Sequence, residues 1–214
     1  MTNRPTLPPQ IRQTQVIAII RGNDVRRLSA VVDALLDGGL RCVEITMTIP
    51  DALGVLRDIV AAVGDRACVG AGTVLDTDQA RAALDAGARF LVAPCLVPEV
   101  VTAVPADVPV IPGAFTATEI LAAWRSGAAA VKVFPAATGG PGYLRDIRGP
   151  LPDIPLIPTG GIAVGDVAAY LSAGAVAVGL GGSLLGDALA GGDLTALRGR
   201  AAEALAAARD VRSG

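Results

Sequence analysis

A helix that ends in glycine and is followed at once by an apolar strand recurs four times along this chain of 214 residues. The glycines that end these helices are Gly38, Gly87, Gly127 and Gly174, at intervals of 40 to 49 residues. Such an interval is too long for one strand and one helix, but it accommodates two of each. Four further short runs, rich in valine and isoleucine, lie between the copies. They begin at Val16, Ala67, Val108 and Pro155.

The short runs are apolar on both faces, which is typical of parallel strands that helices cover on both sides. The segment from Asp24 to Asp37 has the pattern of an amphipathic helix with one apolar face. That face is formed by Leu28, Val31, Val32, Leu35 and Leu36. Asp51 is expected to cap the next helix, and Thr116 with Glu119 forms a capping-box pattern before a later one.

Eight strands that alternate with helices predict an α/β fold, a compact (β/α)8 TIM barrel. We expect one domain over residues 1–214, with residues 1–14 as an N-terminal extension or short helix. An open doubly wound sheet is the alternative. The first turn after a strand, "IIRGND", lacks the glycine-rich dinucleotide fingerprint of that fold.

The composition of the chain limits the kinds of molecule that it is expected to bind. The net charge is −2, and no basic run with interleaved aromatic residues is present, so neither nucleic acid nor an anionic membrane surface is expected as a partner. A small-molecule substrate is expected instead. No apolar stretch reaches the length of about 18 residues that a membrane span needs, and the first residues lack the apolar core of a secretory signal. These features predict a cytoplasmic protein.

Two residue types restrict the chemistry. The chain has no histidine, which excludes Ser–His and Cys–His nucleophilic pairs and zinc sites that use histidine. Acid–base work must then fall to carboxylates, lysine, tyrosine or water. The three cysteines Cys42, Cys68 and Cys95 are far apart in the sequence, and we expect buried reduced thiols rather than disulfides or a metal site.

Lys132 is the single lysine among 18 Lys and Arg residues, and it lies in an apolar run. Side chains alternate between the two faces of a strand, and those of a barrel strand alternate between interior and exterior. Val131 and Val133 suit the exterior, where helices pack, which directs Lys132 inward. The same parity directs Glu44 inward, because its neighbours Val43 and Ile45 suit the exterior.

Lys132 has two possible uses. Desolvation disfavours the ammonium form of a lysine and leaves a neutral amine that can attack a carbonyl and form a Schiff base. Alternatively, Lys132 is a structural cation paired with Glu44. Arginine would suit that second use better, because its charge is permanent and its donors form a rigid fork. Glu44 likewise either moves protons beside an imine or neutralises Lys132 or Arg21.

Two glycine-rich turns are candidates for anion binding. "PTGGI" (residues 158–162) follows the seventh predicted strand, and "GLGGSLL" (residues 179–185) follows the eighth. Backbone N–H groups in such turns approach an anion closely, and this is the usual phosphate position in the barrel architecture. The other possibility is that tight turns require glycine regardless of any ligand.

Arg21 and Thr73 end the first and third predicted strands. Arg21 can hold a substrate carboxylate through two hydrogen bonds, or it can pair with a surface acid at the rim. Thr73 can donate to the same carboxylate, or it can merely cap its turn. The sequence around each residue leaves both possibilities open.

In order and spacing, six motifs of this chain resemble those of the 2-keto-3-deoxy-6-phosphogluconate / 4-hydroxy-2-oxoglutarate (KDPG/KHG) aldolases. The resemblance runs from about Gln15 to Ala207. The motifs are "VEIT" (43–46), "GAGTVL" (70–75), "IPG" (111–113), "KVFPA" (132–136), "PTGGI" and "GGS" (181–183). The resemblance implies a class I aldolase on a (β/α)8 barrel, a homotrimer, and no metal or cofactor.

The resemblance also implies roles for individual residues. Lys132 forms the Schiff base, Glu44 acts as general acid and base, and Thr73 holds the substrate carboxylate. The residues expected to line the pocket or surround the far end of the substrate, with its phosphate, are Phe134, Pro94, Thr159, Gly160, Gly161, Gly182 and Ser183. Many members carry an arginine four residues after the glutamate, where this chain has Thr48. Arg21 is the candidate for the missing guanidinium.

The reaction expected from the resemblance is reversible cleavage of 2-keto-3-deoxy-6-phosphogluconate to pyruvate and glyceraldehyde 3-phosphate. The galacto epimer and 4-hydroxy-2-oxoglutarate are alternative substrates. Two other classes of protein remain open at this point. One is a phosphosugar isomerase barrel that uses Glu44 as a base without an imine, and the other is a non-catalytic barrel that binds a phosphate ligand.

Overall fold

Short strands alternate with helices throughout the computed structural model, which describes residues 4–213. The strands are β1 (Val16–Ile20), β2 (Cys42–Thr46), β3 (Cys68–Gly72), β4 (Leu91–Val92), β5 (Val110–Ile111), β6 (Gly113–Ala114), β7 (Val131–Val133), β8 (Leu156–Pro158) and β9 (Val178–Leu180). The α-helices are α1 (Pro9–Thr14), α2 (Leu28–Asp37), α3 (Ala52–Val63), α4 (Thr77–Asp85), α5 (Pro98–Ala103), α6 (Ala117–Arg125), α7 (Gly140–Arg148), α8 (Val167–Ser172), α9 (Gly182–Leu185) and α10 (Leu194–Ser213). Of the expected domain, residues 1–3 and 214 lie outside the described residues. No helix within residues 4–213 is long and apolar enough to cross a membrane.

The strands form two parallel sheets. Six strands lie in the order β5-β4-β3-β2-β1-β9, and three lie in the order β6-β7-β8. The fifth expected strand is divided into β5 and β6 at Pro112, which has no N–H group to donate to a strand ladder. The α/β class is therefore confirmed, whereas the sheet is divided where a single barrel sheet is expected.

Backbone hydrogen bonds cross both gaps between the two sheets. The N–H of Ala129 donates to the carbonyl of Val110 at 2.9 Å, and the N–H of Val176 donates to the carbonyl of Leu156 at 3.0 Å. A parallel bridge also joins Thr159 to Gly179. The second sheet thus lies alongside both edges of the first.

Two separate apolar clusters occupy the two faces of the strands. Outward residues, including Val43 and Val131, belong to the cluster that packs against the helices. Their inward neighbours form the second cluster, which includes Ile17, Ile19, Cys42, Cys68, Phe90 and Ile157. This separation confirms the alternation predicted for β2 and β7.

The N-terminal segment packs at the ends where the strands begin. Leu7 and Ile11 belong to the inward cluster, and Ile11 is fully buried. The guanidinium of Arg4 lies 3.7 Å from the ring centroid of Trp124 and donates to the carbonyl of Ala128, just before β7. The N-terminal segment does not cover the C-terminal ends of the strands, which remain open to a ligand.

One helix cap is confirmed, and three local expectations are wrong. The backbone of Glu119 donates to Thr116, and the carboxylate of Glu119 accepts from the Thr116 N–H, which completes the capping box of α6. Asp51 precedes α3 but does not cap it, because its backbone is left-handed rather than extended. Helix α2 begins only at Leu28. Cys95 is exposed, since it lies beyond the end of β4.

Candidate active site

A cavity of about 760 Å³ opens where β1, β7, β8 and β9 end. Among its lining residues are eight of the predicted site residues. They are Arg21, Lys132, Phe134, Thr159, Gly160, Gly161, Gly182 and Ser183. The parallel order of the strands brings these residues together, because all strands of a parallel sheet end on the same side.

Lys132 lies at the centre of β7, paired in register with Gly113 of β6 and Ile157 of β8. Its side chain is buried, with only 4% of the residue exposed. The amine Nζ lies 5.2 Å from the ring centroid of Phe134. None of the ion pairs found within residues 4–213 includes Lys132, so a direct contact with Glu44 does not hold this amine.

Glu44 lies in β2 and is 2% exposed. Its Oε1 is buried and has no hydrogen-bond partner among the described residues. Burial raises the pKa of the Glu44 carboxyl above its ordinary value, while the positive charges of Lys132 and Arg21 act in the opposite direction. A carboxyl that keeps its proton closer to neutral pH suits both giving and accepting a proton.

The two residues predicted to hold a carboxylate contact each other. Nη2 of Arg21 donates to Oγ1 of Thr73 at 3.3 Å. Thr73 has a φ of 60°, a left-handed conformation that is unfavourable for a β-branched residue and costs about 1–3 kcal/mol. Its turn is therefore strained, which favours a functional role over simple capping.

Thr48, where the resembled family often has arginine, contributes no charge. Its Oγ1 lies 2.9 Å from Oγ1 of Thr46, and either hydroxyl can be the donor. Arg21 is consequently the residue that supplies a guanidinium to the cavity. Glu44, Thr73 and Pro94 are not among the residues that line the cavity. Thr73 is connected to the cavity by its hydrogen bond with Arg21. Pro94 is half-buried, and its carbonyl packs against Gly113.

The two glycine-rich turns lie side by side. Gly160 and Gly161 have φ values of 94° and 74°, a conformation that residues with a side chain rarely adopt. The hydroxyl of Ser183, in the turn after β9, donates to the carbonyl of Ile162 at 2.6 Å and joins the two turns. The first N–H groups of α9, from Gly182, have no partner within the helix. Together the turns can supply several backbone donors to an anion.

Sequence reasoning missed one wall of this cavity. Asn23 and Asp24 from the loop after β1 line it, together with Asp187 and Leu189 from the loop after α9. Hydrogen bonds from the side chain and backbone of Arg26 lower the pKa of Asp24 to about 2. The only available signal was position, since one loop follows β1 and the other follows α9, the short helix directly after β9, and both strands end at the cavity.

Comparison with known proteins gives consistent matches. The family model for KDPG and KHG aldolase matches residues 8–198. A probable 2-dehydro-3-deoxy-6-phosphogalactonate aldolase of Rhizobium meliloti is 36% identical over 99% of this chain and 99% of its own length.

Solved structures agree with the sequence relatives. A structure described as native KDPGal is 34% identical and covers 100% of both chains with a TM-score of 0.86. A KDPG aldolase of Legionella pneumophila, with pyruvate captured as a covalent carbinolamine, is 28% identical. It covers 90% of this chain and 95% of its own, with a TM-score of 0.83.

The raised pKa of Glu44 predicts a pH-dependent cost in stability. The folded protein holds this proton more tightly than the unfolded chain, so the free energy of unfolding falls as the pH rises above the ordinary glutamate value. Glu44→Gln keeps the shape without the charge. In urea unfolding, we expect it to be more stable than the wild type at about pH 8, with a gap that narrows toward about pH 4.

The matched control is Glu203→Gln, on the exposed face of α10. We expect its stability to differ little from that of the wild type at either pH. The raised pKa of Glu44 would be contradicted if Glu44→Gln and the wild type differed in stability by the same amount at both pH values. It would also be contradicted if the variant were less stable than the wild type at high pH.

Proposed function

We propose that this chain, which belongs to the KDPG and KHG aldolase family, uses Lys132 as the nucleophile of its aldol chemistry. Family membership makes the chain a pyruvate-dependent lyase. The observation that carries the assignment of Lys132 is its place as the single lysine of the chain, buried and lining the cavity, with no ion-pair partner among residues 4–213.

The first step is condensation. The neutral amine of Lys132 attacks the C2 ketone of the substrate, Glu44 gives a proton, water leaves, and a protonated imine remains. The carbinolamine captured in the Legionella relative is an intermediate of the same kind of addition, and it supports this step.

The second step breaks the C3–C4 bond. Glu44, acting through a water molecule, accepts the proton of the C4 hydroxyl, and the aldehyde leaves. The electrons of the C3–C4 bond form the C2–C3 double bond of an enamine, while the π electrons of the protonated imine move to its nitrogen. Protonation at C3 and hydrolysis then release pyruvate and free Lys132. A carboxyl whose pKa is raised by burial suits this two-way transfer.

Two groups of binding residues are assigned to the two ends of the substrate. Arg21 and Thr73, already joined by a hydrogen bond, are assigned to the carboxylate of the pyruvyl part. The backbone donors around Gly160, Gly161, Gly182 and Ser183 are assigned to the phosphate, with Thr159 and Phe134 beside them. Pro94 does not line the cavity, and it is assigned only a packing role near β6.

The substrate assigned from the sequence is 2-keto-3-deoxy-6-phosphogluconate, cleaved to pyruvate and glyceraldehyde 3-phosphate. The 6-phosphogalactonate epimer is the second candidate, and two likenesses that span nearly the whole chain favour it. Unphosphorylated 4-hydroxy-2-oxoglutarate is the third. Values of kcat/KM on the three compounds rank them.

We also infer that the two sheets form one closed (β/α)8 barrel within a single domain. The hydrogen bonds across both gaps and the inward cluster support closure. In this interpretation β5 and β6 are two halves of the fifth strand, separated by Pro112. The homotrimer and the cytoplasmic location remain predictions from the sequence, and a native mass measurement tests the former.

The decisive experiment is borohydride reduction in the presence of pyruvate. We expect one covalent adduct of a reduced pyruvate imine, which mass spectrometry of a digest assigns to Lys132. The single lysine sharpens the result, because no other lysine can carry the adduct. Lys132→Arg should show no adduct and no cleavage.

Other outcomes of this experiment distinguish the remaining classes. An isomerase barrel that uses Glu44 without an imine would resist inactivation by pyruvate and borohydride. A barrel that only binds a phosphate ligand would retain binding in Lys132→Arg and show no carbon–carbon cleavage in either form. Either result would remove the aldolase mechanism proposed for Lys132.

The role of Arg21 has its own prediction. Arg21→Gln removes a charged hydrogen-bond donor, so the pyruvate concentration for half-maximal trapping should rise about tenfold or more. Arg57→Gln removes a positive charge from an exposed position of α3, away from the cavity lining. We expect that control to trap pyruvate as the wild type does. If the two variants needed the same pyruvate concentration for half-maximal trapping, Arg21 would have no role in binding the carboxylate.

A further inference from the structure

Gly72, the last residue of β3, leaves a space that the side chain of Glu44 fills. A Cβ atom placed on Gly72 would lie 1.9 Å from Oε1 of Glu44, 2.5 Å from its Cδ and 2.6 Å from its Cγ. These separations are far below the 3.5–4.0 Å of normal contact between carbon atoms. Any side chain at position 72 therefore excludes Glu44 from its present place.

The backbone does not require glycine at this position. Gly72 is a strand residue and is not among the residues with positive φ, so alanine could adopt its conformation. The requirement is one of space. It differs from that at Gly160 and Gly161, where the left-handed backbone itself favours glycine.

The space also sets the direction of the Glu44 side chain. In the strand register Glu44 pairs with Gly70, and Gly72 pairs with Thr46. The carboxyl of Glu44 nevertheless lies over Gly72, so the side chain leans toward the ends of the strands where the cavity opens. Its Oε1 accepts no hydrogen bond from any described residue, which leaves packing to hold this oxygen in place.

We infer that Gly72 is a positioning residue for Glu44, whose carboxyl occupies the hollow that the absent side chain leaves. The inference rests on the proposed function, in which Glu44 carries the proton of the C4 hydroxyl. Gly72 touches neither substrate nor Lys132 in this account, and it acts only through the place it gives to the carboxyl group.

The test is Gly72→Ala. The atoms that must move are at the far end of a flexible side chain, so the protein should fold while the carboxyl shifts by more than 1 Å. We expect kcat for cleavage to fall about 100-fold, a typical loss when a general acid or base is misplaced. Borohydride trapping of pyruvate on Lys132 should persist, which separates proton transfer from imine formation.

Gly70→Ala is the matched control. Gly70 lies on the same strand and the same face, and a Cβ there would lie 2.4 Å from the buried ring of Phe90. Both variants add one methyl group to the interior, but the nearest atoms belong to Glu44 at position 72 and to Phe90 at position 70. Gly70→Ala should lose thermal stability and keep a kcat close to that of the wild type.

A double-mutant cycle with Glu44→Ala tests whether the effect passes through Glu44. Once the Glu44 side chain is shortened, the added methyl group has room. Gly72→Ala should then leave kcat unchanged and lower Tm less than it does beside Glu44. If the single variant does not fold and the double variant does, the steric coupling is equally supported.

Three results would overturn the inference. They are an equal kcat loss for Gly72→Ala and Gly70→Ala, an equal loss from Gly72→Ala with and without Glu44, and a double variant that also fails to fold. Failure of the proposed function is seen separately, because trapping and cleavage are first measured on the wild type. The Tm part of the cycle does not depend on activity.

Discussion

The burial of one amine and one carboxyl on the inward face of a parallel sheet is the constraint on which this site depends. Valine and isoleucine side chains on the opposite face pack against the helices and direct Lys132 and Glu44 inward. Neither residue can turn to the outer face of its strand without removing those side chains from the apolar cluster. The same burial raises the pKa of Glu44, so the packing of the strands and the chemistry of the site have a single cause.

Glycine serves this arrangement in two different ways. At Gly160 and Gly161 the left-handed backbone turns N–H groups toward a ligand, whereas at Gly72 the absent side chain makes room for Glu44. Strain at Thr73 belongs to the same edge of the sheet, where its hydroxyl accepts a hydrogen bond from Arg21. The ends of the strands thus concentrate the unfavourable backbone and buried polar groups, and the apolar clusters on both faces support them.

Short apolar runs, side-chain parity and the Thr116–Glu119 pattern sufficed to predict the strands, the inward direction of Lys132 and Glu44, and the capping box of α6. Those features depend on neighbours in sequence. One wall of the cavity is formed by Asn23, Asp24, Asp187 and Leu189. Their placement depends on how two loops fold back, and no local sequence pattern predicts those loop conformations. The left-handed backbone of Asp51 and the exposure of Cys95 were missed for a related reason, since a turn conformation decides each. Pro94 was assigned by resemblance alone, and its packing against Gly113 places it outside the cavity lining.

The central claim is that the nitrogen of Lys132 becomes bonded to C2 of pyruvate. Because the chain has a single lysine, protein labelled with ¹⁵N-lysine gives one side-chain nitrogen signal. After addition of [2-¹³C]pyruvate and borohydride, we expect a one-bond coupling between that nitrogen and the labelled carbon. A lysine signal that pyruvate leaves unchanged, with no coupling, would contradict it.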